Sequence, residues 1–368
     1  MRVALVHYWL VSMRGGEKVL ESLCRMFPEA DIYTHVCKPE ILSPTLRKHS
    51  IKTSFIQKLP FSASMYQKYL PLMPLALEQL DLRGYDLVIS SESGPAKGVL
   101  THTDTPHICY CHTPMRYLWD FYQDYLEEAG TATRLLMRPL FHRLRMWDAL
   151  SANRVDHFAA NSHTVARRIA RHYRREAGVI HPPVEVERFT PENFKEPEDY
   201  YLCLGQLNGY KRMDIAVEAC TRLHKKLLVV GEGPEETRLK AMAGPTVSFA
   251  GRLDGKAMAL HMQRCKALIF PGEEDFGIVP VETMAAGRPV IAYGKGGATE
   301  TVLEGKTGLF FAEQNAAALA AILEQFESSM DAFDPAAINA HAGTFSEAAF
   351  TESFARLVQK ATGQGAES

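Results

Sequence analysis

Two glutamates stand seven residues apart in Glu274-Asp275-Phe276-Gly277-Ile278-Val279-Pro280-Val281-Glu282. Gly277 and Pro280 suit a turn running into a helix. Glu274 then follows a strand's carboxyl end, and Glu282 lies on the first turns of the next helix. Open α/β sheets bind ligands at that end of their strands. One carboxylate could hold a sugar and the other a ribose, with the helix N-terminus toward phosphate. The spacing equally suits a solvated face plus an N-terminal helix charge.

Lys211 and Arg212 follow Gly205-Gln206-Leu207-Asn208-Gly209-Tyr210. At a helix start, cations oppose the macrodipole unless they face a bound polyanion. Arg14-Gly15-Gly16-Glu17 opens the first helix, where two glycines let backbone approach an anion. The same residues also make an ordinary tight turn. Gly231-Glu232-Gly233-Pro234 begins like a dinucleotide loop, but Glu236 takes the third glycine's place. Gly305-Lys306-Thr307 is not a P-loop end, because Glu300 replaces the upstream glycine and a strand follows. His112 ends the strand 107–111, and among 14 histidines its position sets it apart from His102 and His107. No H-E-x-x-H, D-x-D or paired Cys/His spacing occurs, so no metal site is expected.

These residues need a scaffold of alternating strands and helices. In the second half, apolar runs at 201–205, 227–231, 247–251, 267–270, 289–293 and 308–311 read as strands. Helical periods lie between them at 211–223, 235–242, 256–264, 279–286 and 299–303. In the first half, strands fall at 2–7, 31–34, 87–90, 107–111 and 157–160, with helices at 16–26 and 162–173 and Ser162 as an N-cap. Such alternation predicts parallel sheets covered on both faces. The Pro-rich stretch from His181-Pro182-Pro183 to Pro191 reads as an interdomain connection. The expected division is 1–185 and 186–345, with a last helix and tail at 346–368 packing back on the first domain. The tail 361–368 reads as frayed.

A chain of 368 residues fits two domains, and 46% hydrophobic with 23% charged residues excludes disordered and fibrous classes. Net charge is −2, so nothing points to nucleic acid. Residues 1–185 carry 23 basic and 18 acidic side chains, and the remainder 18 and 25. Between Thr131 and Arg175, ten arginines face only Asp148 and Asp156. This asymmetry suggests an anionic or membrane-surface partner for the first half. Within it, Thr133–Arg145 mixes leucines with Arg134, Arg138, Arg143 and Arg145. It could lie on anionic lipid or pack on a core with a solvated basic face. Seven cysteines, an odd number without a CxxC pair, suggest a reduced, cytoplasmic protein. Met1–Met13 lacks a small-residue cleavage site, so no signal peptide is expected. No run approaches the roughly 20 apolar residues of a spanning helix.

Taken in order, the motifs resemble the retaining GT-B-fold glycosyltransferases of family 4. The most specific parts are Glu274 to Glu282, Gly294 through Val302 with Gly296-Gly297 and Glu300, and the Lys211 loop. Val6-His7-Tyr8-Trp9-Leu10 through Glu21, and Tyr110-Cys111-His112-Thr113-Pro114-Met115-Arg116-Tyr117-Leu118-Trp119-Asp120, resemble the subgroup building bacterial surface polysaccharides.

The resemblance implies two Rossmann-like doubly wound parallel-sheet domains facing a cleft, the first for acceptor and the second for nucleotide sugar. His112 and Glu274 are then the catalytic pair. Gly15, Gly16, Lys211, Arg212, Gly277 and Ile278 hold the donor diphosphate. Gly231, Gly233, Arg252, Leu253 and Glu282 line the nucleoside. Arg14, Arg116, Arg138, Arg143 and Arg145 face the acceptor or membrane. The family commonly has Arg where Gln206 stands, leaving Lys211 as the matched cation with Arg212 beside it. The implied reaction is retaining hexose transfer, mannose from GDP-mannose, to a lipid-linked saccharide at the inner membrane face, without cofactor or metal. The alternatives are a nucleotide-sugar epimerase of the same fold and an inactive nucleotide-sugar-binding protein.

Overall fold

The computed structural model describes residues 1–363. The chain forms two compact units, one of Met1–Pro183 plus the segment from Phe350 onward, the other Val184–Ala349. The boundary thus falls two residues before the expected one, and the chain returns at Phe350 rather than 346. The last helix, Glu347–Thr362, buries Phe350, Phe354 and Val358 in the core of the first unit. Ala361 and Thr362 therefore belong to a helix and not to a frayed tail, while 364–368 lie outside the described residues.

The first unit's strands are β1 (Val3–His7), β2 (Asp31–Thr34), β3 (Ile51–Thr53), β4 (Leu87–Glu92), β5 (His107–Cys111), β6 (His157–Ala160) and β7 (Ala177–Val179). They make one parallel sheet in the order β3-β2-β1-β4-β5-β6-β7. The order reverses between β1 and β4, the switch point where doubly wound sheets bind ligands. Register places His7 beside Ser91 and Ser91 beside Tyr110. Side chains alternate faces along a strand. Val3, Leu5, Leu87, Ile89, Ile108 and Tyr110 therefore share one apolar face, covered by Gly15–Met26 and the last helix. His7, Ser91 and His112 continue that face at its carboxyl edge.

The second unit repeats the plan with β8 (Tyr201–Leu204), β9 (Leu227–Val230), β10 (Val247–Gly251), β11 (Leu268–Phe270), β12 (Val290–Tyr293) and β13 (Gly308–Phe311), in the order β10-β9-β8-β11-β12-β13. Its switch point lies between β8 and β11. All expected strands and helices are present, with ends shifted by one or two residues, except that the basic segment 133–145 belongs to a longer helix, Thr131–Ser151. The edge strands β3 and β7, three residues each, were not legible. Nor were the helices Ala316–Ser329 and Pro335–Ala342, whose alanine-rich faces lack a strong polar stripe. The stretch 53–80 folds into short helical turns.

Candidate functional site

In the second unit, the loops after β8 and β11 bring Lys211 and Glu274 together. The Lys211 ammonium donates to Glu274 Oε1, with both side chains mostly shielded. Gly272 makes this possible, because a Cβ there would lie 3.0 Å from the Lys211 Cα and main-chain oxygen. The Glu274 loop is clamped from behind by Gly296-Gly297. Gly297 N–H donates to the Glu274 carbonyl at 2.7 Å, and a Cβ on Gly297 would sit 2.3 Å from the Phe276 Cα. Gly277, at φ +89°, caps the helix Ile278–Ala285 that carries Glu282. Glu282 pairs with Arg188 at 3.3 Å, a partner 94 residues away that the sequence did not suggest.

Lys211 does not begin a helix, as periodicity suggested. It ends a short turn, Gly209–Lys211, and Arg212 at φ +50° precedes the helix Met213–Arg222. Lys211 thus precedes the N-cap, and its ammonium is answered by the Glu274 carboxylate. The Arg212 guanidinium is engaged by Asp214 at 3.2 Å and Gln314 at 3.4 Å. Gly231 and Gly233 have a packing reason. Cβ atoms there would lie 1.8 Å from the Gly205 carbonyl oxygen and 2.5 Å from that of Leu207. Arg252 is exposed and Leu253 half-buried just beyond β10.

In the first unit, His112 follows β5, and its backbone N–H donates to the Glu92 carbonyl at 2.7 Å. Its Nε2 lies 2.8 Å from Ser91 Oγ. Burial and the neighbouring His7 push its pKa down to about 3, so the ring is neutral. Gly16 sits against it. A Cβ on Gly16 would lie 2.3 Å from the Tyr8 hydroxyl and 3.6 Å from His112 Nε2, so a side chain there would displace the Tyr8 ring. Glu17 folds back to accept the Arg14 backbone N–H at 2.9 Å, giving this helix start its own carboxylate.

Within the stretch after His112, Arg116 stacks on Phe121 at 3.9 Å. Trp119 donates to Asp148 at 2.7 Å, and Asp120 pairs with Arg168 at 2.8 Å and His172 at 3.0 Å. These residues anchor the segment to the helices Thr131–Ser151 and His163–Tyr173. The first of those helices buries Phe141 and Leu144. Arg145 is tied to the Leu118 carbonyl at 3.1 Å, whereas Arg138 and Arg143 are exposed. Leu135 and Leu136 are 64% and 73% exposed, so its outer face mixes leucine with arginine. All seven cysteines are buried and free. Among the described residues, no group of three or more His, Cys, Asp or Glu could hold a metal ion, and no helix is long and apolar enough to cross a membrane.

Residues 13–188 match the family described as Glycosyltransferase Family 4, and 185–339 that described as Glycosyl transferases group 1. A D-inositol 3-phosphate glycosyltransferase of Streptomyces avermitilis is 28% identical over 204 residues, 46% of this chain and 44% of the relative. A GDP-mannose-dependent alpha-(1-6)-phosphatidylinositol monomannoside mannosyltransferase of Mycolicibacterium smegmatis is 31% identical over 155 residues, 34% of this chain and 41% of the relative. The match thus spans less than half the length of each of these curated relatives. The solved structure of Anabaena HepE in complex with UDP superposes with a TM-score of 0.69 at 17% identity, over 98% of this chain and 100% of that one.

Proposed function

Given that the chain belongs to the GT-B-fold glycosyltransferases of family 4, we propose that it moves mannose from GDP-mannose to a lipid-linked saccharide, with retention, in surface polysaccharide or lipopolysaccharide synthesis. The observation that carries this reading is the Lys211–Glu274 pair at the switch point of the second sheet. A GDP-mannose-dependent relative supports the donor. The second unit binds the nucleotide sugar, and the first binds the acceptor.

Breaking the anomeric C–O bond leaves positive charge on the sugar and its electron pair on the diphosphate. Lys211 shifts from Glu274 to the diphosphate and, with the Gly277 and Ile278 N–H groups, stabilises that negative charge. Glu274, released, accepts hydrogen bonds from sugar hydroxyls. Glu282 takes the ribose. Neutral His112 accepts from a sugar hydroxyl without opposing the developing positive charge, as an imidazolium would. The acceptor oxygen bonds to the anomeric carbon on the face the diphosphate leaves, and its proton passes to a diphosphate oxygen. The reading assigns charge neutralisation to side chains and backbone, with no cofactor. Arg212, held by Asp214 and Gln314, serves as the second cation in place of the arginine absent at Gln206.

The test is incubation with GDP-mannose and a lipid-diphosphate-linked saccharide, with α-linked mannosyl product expected. No transfer from GDP-, UDP- or ADP-sugars across an acceptor panel would overturn it, and donor turnover without acceptor would mark an epimerase. The chain works at the inner face of the membrane, which the exposed Leu135, Leu136, Arg138 and Arg143 contact. The full chain is expected to float with anionic vesicles at low salt and to be released as salt rises. Replacing Leu136 by Asp weakens flotation. Absence of binding at low salt would remove the membrane assignment.

A further inference from the structure

We propose that His7 and Ser91 are positioning residues that hold the His112 ring with its proton on Nε2, leaving the Nδ1 lone pair to accept from a donor-sugar hydroxyl. This deepens the reading of His112 given above and rests on it.

Ser91 Oγ stands between two imidazoles, 3.2 Å from His7 Nδ1 and 2.8 Å from His112 Nε2. A hydroxyl has one proton, so it donates to one ring and accepts from the other. His7 decides which. The ring is fully buried, and its Nε2 has no hydrogen-bond partner among the described residues. That nitrogen lies 3.9 Å from Glu17 Oε1. A lone pair aimed at a carboxylate is repelled, and an N–H there is attracted, so a His7 ring with one proton carries it on Nε2. Its Nδ1 then accepts the Ser91 hydroxyl proton, and Ser91 oxygen accepts Nε2–H from His112. Which imidazole nitrogen is protonated is set by the hydrogen bond made at the other.

The other groups packed on the chain leave this polarity unopposed. Tyr8 lies against His7 at 4.0 Å between ring centroids, and burial raises its hydroxyl pKa, keeping it neutral. Tyr110 meets the His112 ring edge-on at 5.2 Å, and its hydroxyl donates to the Ile180 carbonyl. Among the described residues the His112 ring makes one hydrogen bond, the one to Ser91. A second proton on His7 would reverse both bonds and turn His112 Nδ1 into a donor, so the tautomer of His112 reports the whole chain.

The full chain, labelled with nitrogen-15 at histidine, gives that tautomer from two-bond proton–nitrogen spectra at neutral pH, with His112 assigned by difference against His112→Gln. The expected result is a protonated Nε2 and an unprotonated Nδ1. Ser91→Ala is expected to mix the tautomers. It should also lower kcat by about 10- to 100-fold through a misplaced ring, with the KM for GDP-mannose little changed because Lys211 and Glu274 still bind the ground state. A wild-type His112 protonated on Nδ1, or a folded Ser91→Ala with unchanged kcat, would overturn the proposal. If Ser91→Ala does not fold, the wild-type spectrum decides. If no sugar is transferred at all, the functional reading fails while the spectrum still tests the chain of hydrogen bonds.

Discussion

Lys211→Ala is expected to lower kcat/KM for transfer from GDP-mannose by about 10²–10³-fold, the cost of removing one preorganised group that stabilises developing negative charge. The loss has two parts. The leaving diphosphate loses its cation, and Glu274, which Lys211 now neutralises, is left as an unpaired carboxylate where the diphosphate must bind. The fold should survive with a modest loss of stability, because Glu274 is left unpaired but still reaches water. The pair's side chains keep 13% and 20% of their exposure, so water can still solvate the carboxylate that the variant leaves behind. A circular-dichroism melt showing a folded variant at the assay temperature, alongside the collapsed rate, separates chemistry from stability. Lys211→Arg should recover only part of the rate, because a planar fork replaces a point charge in a loop shaped by Gly272. A folded Lys211→Ala retaining more than about a fifth of wild-type activity would show that another group carries the diphosphate charge.

The central strands were legible because strands buried on both faces are continuous apolar runs, and Val290–Tyr293 or Leu227–Val230 admit little else. The edge strands were not. Ile51–Thr53 points two of its three residues to solvent, so no pattern marks it. Lys211 and Glu274 could be singled out separately, but their contact depends on the strand order that sets β8 beside β11. The His7–Ser91–His112 row was invisible for the same reason. Ser91 is an unremarkable residue until register places it beside His7. The packing at Gly231 and Gly233 was not legible either, because the Gly205 and Leu207 carbonyls beside them come from another strand's loop. Arg188, far in sequence from Glu282, gave no local signal at all.

Acid is expected to destabilise the first unit already above pH 4.5, before its carboxylates of ordinary or lowered pKa are protonated. His35 and His107 are both buried there, and burial pushes each pKa from 6.5 down to about 4. Their ring nitrogens meet neutral groups, Ser54 and the Pro95 carbonyl for His35, Ser90 and the Arg154 carbonyl for His107. In the unfolded chain both rings take up a proton near pH 6.5. In the folded unit they resist until about pH 4. Between those values the unfolded state binds more protons, so stability falls as pH falls. At 1.36 kcal/mol per pKa unit, each histidine removes about 3 kcal/mol across the window. Together they remove roughly 6 kcal/mol, comparable with the whole 5–15 kcal/mol stability of a domain. Asp31 and Asp120 act in the same direction, but their folded pKa values lie below the ordinary carboxylate value, by hydrogen bonds from Tyr85 and His172 respectively. Their contribution is lost only as pH falls through about 4 and below. Between pH 6.5 and 4.5 the buried His112 ring adds to the loss, while buried Glu92, whose carboxyl desolvation holds above its ordinary pKa, opposes it. Scanning calorimetry should show the first unit's transition dropping by about 10–20 °C between pH 7.5 and 4.5. In His35→Gln/His107→Gln, whose side chains do not titrate, the melting temperature should start lower at pH 7.5 and fall less steeply with acid. A wild-type transition that falls no more steeply with acid than that of His35→Gln/His107→Gln would mean that these two imidazoles reach water when protonated, and that the first unit is not closed over them.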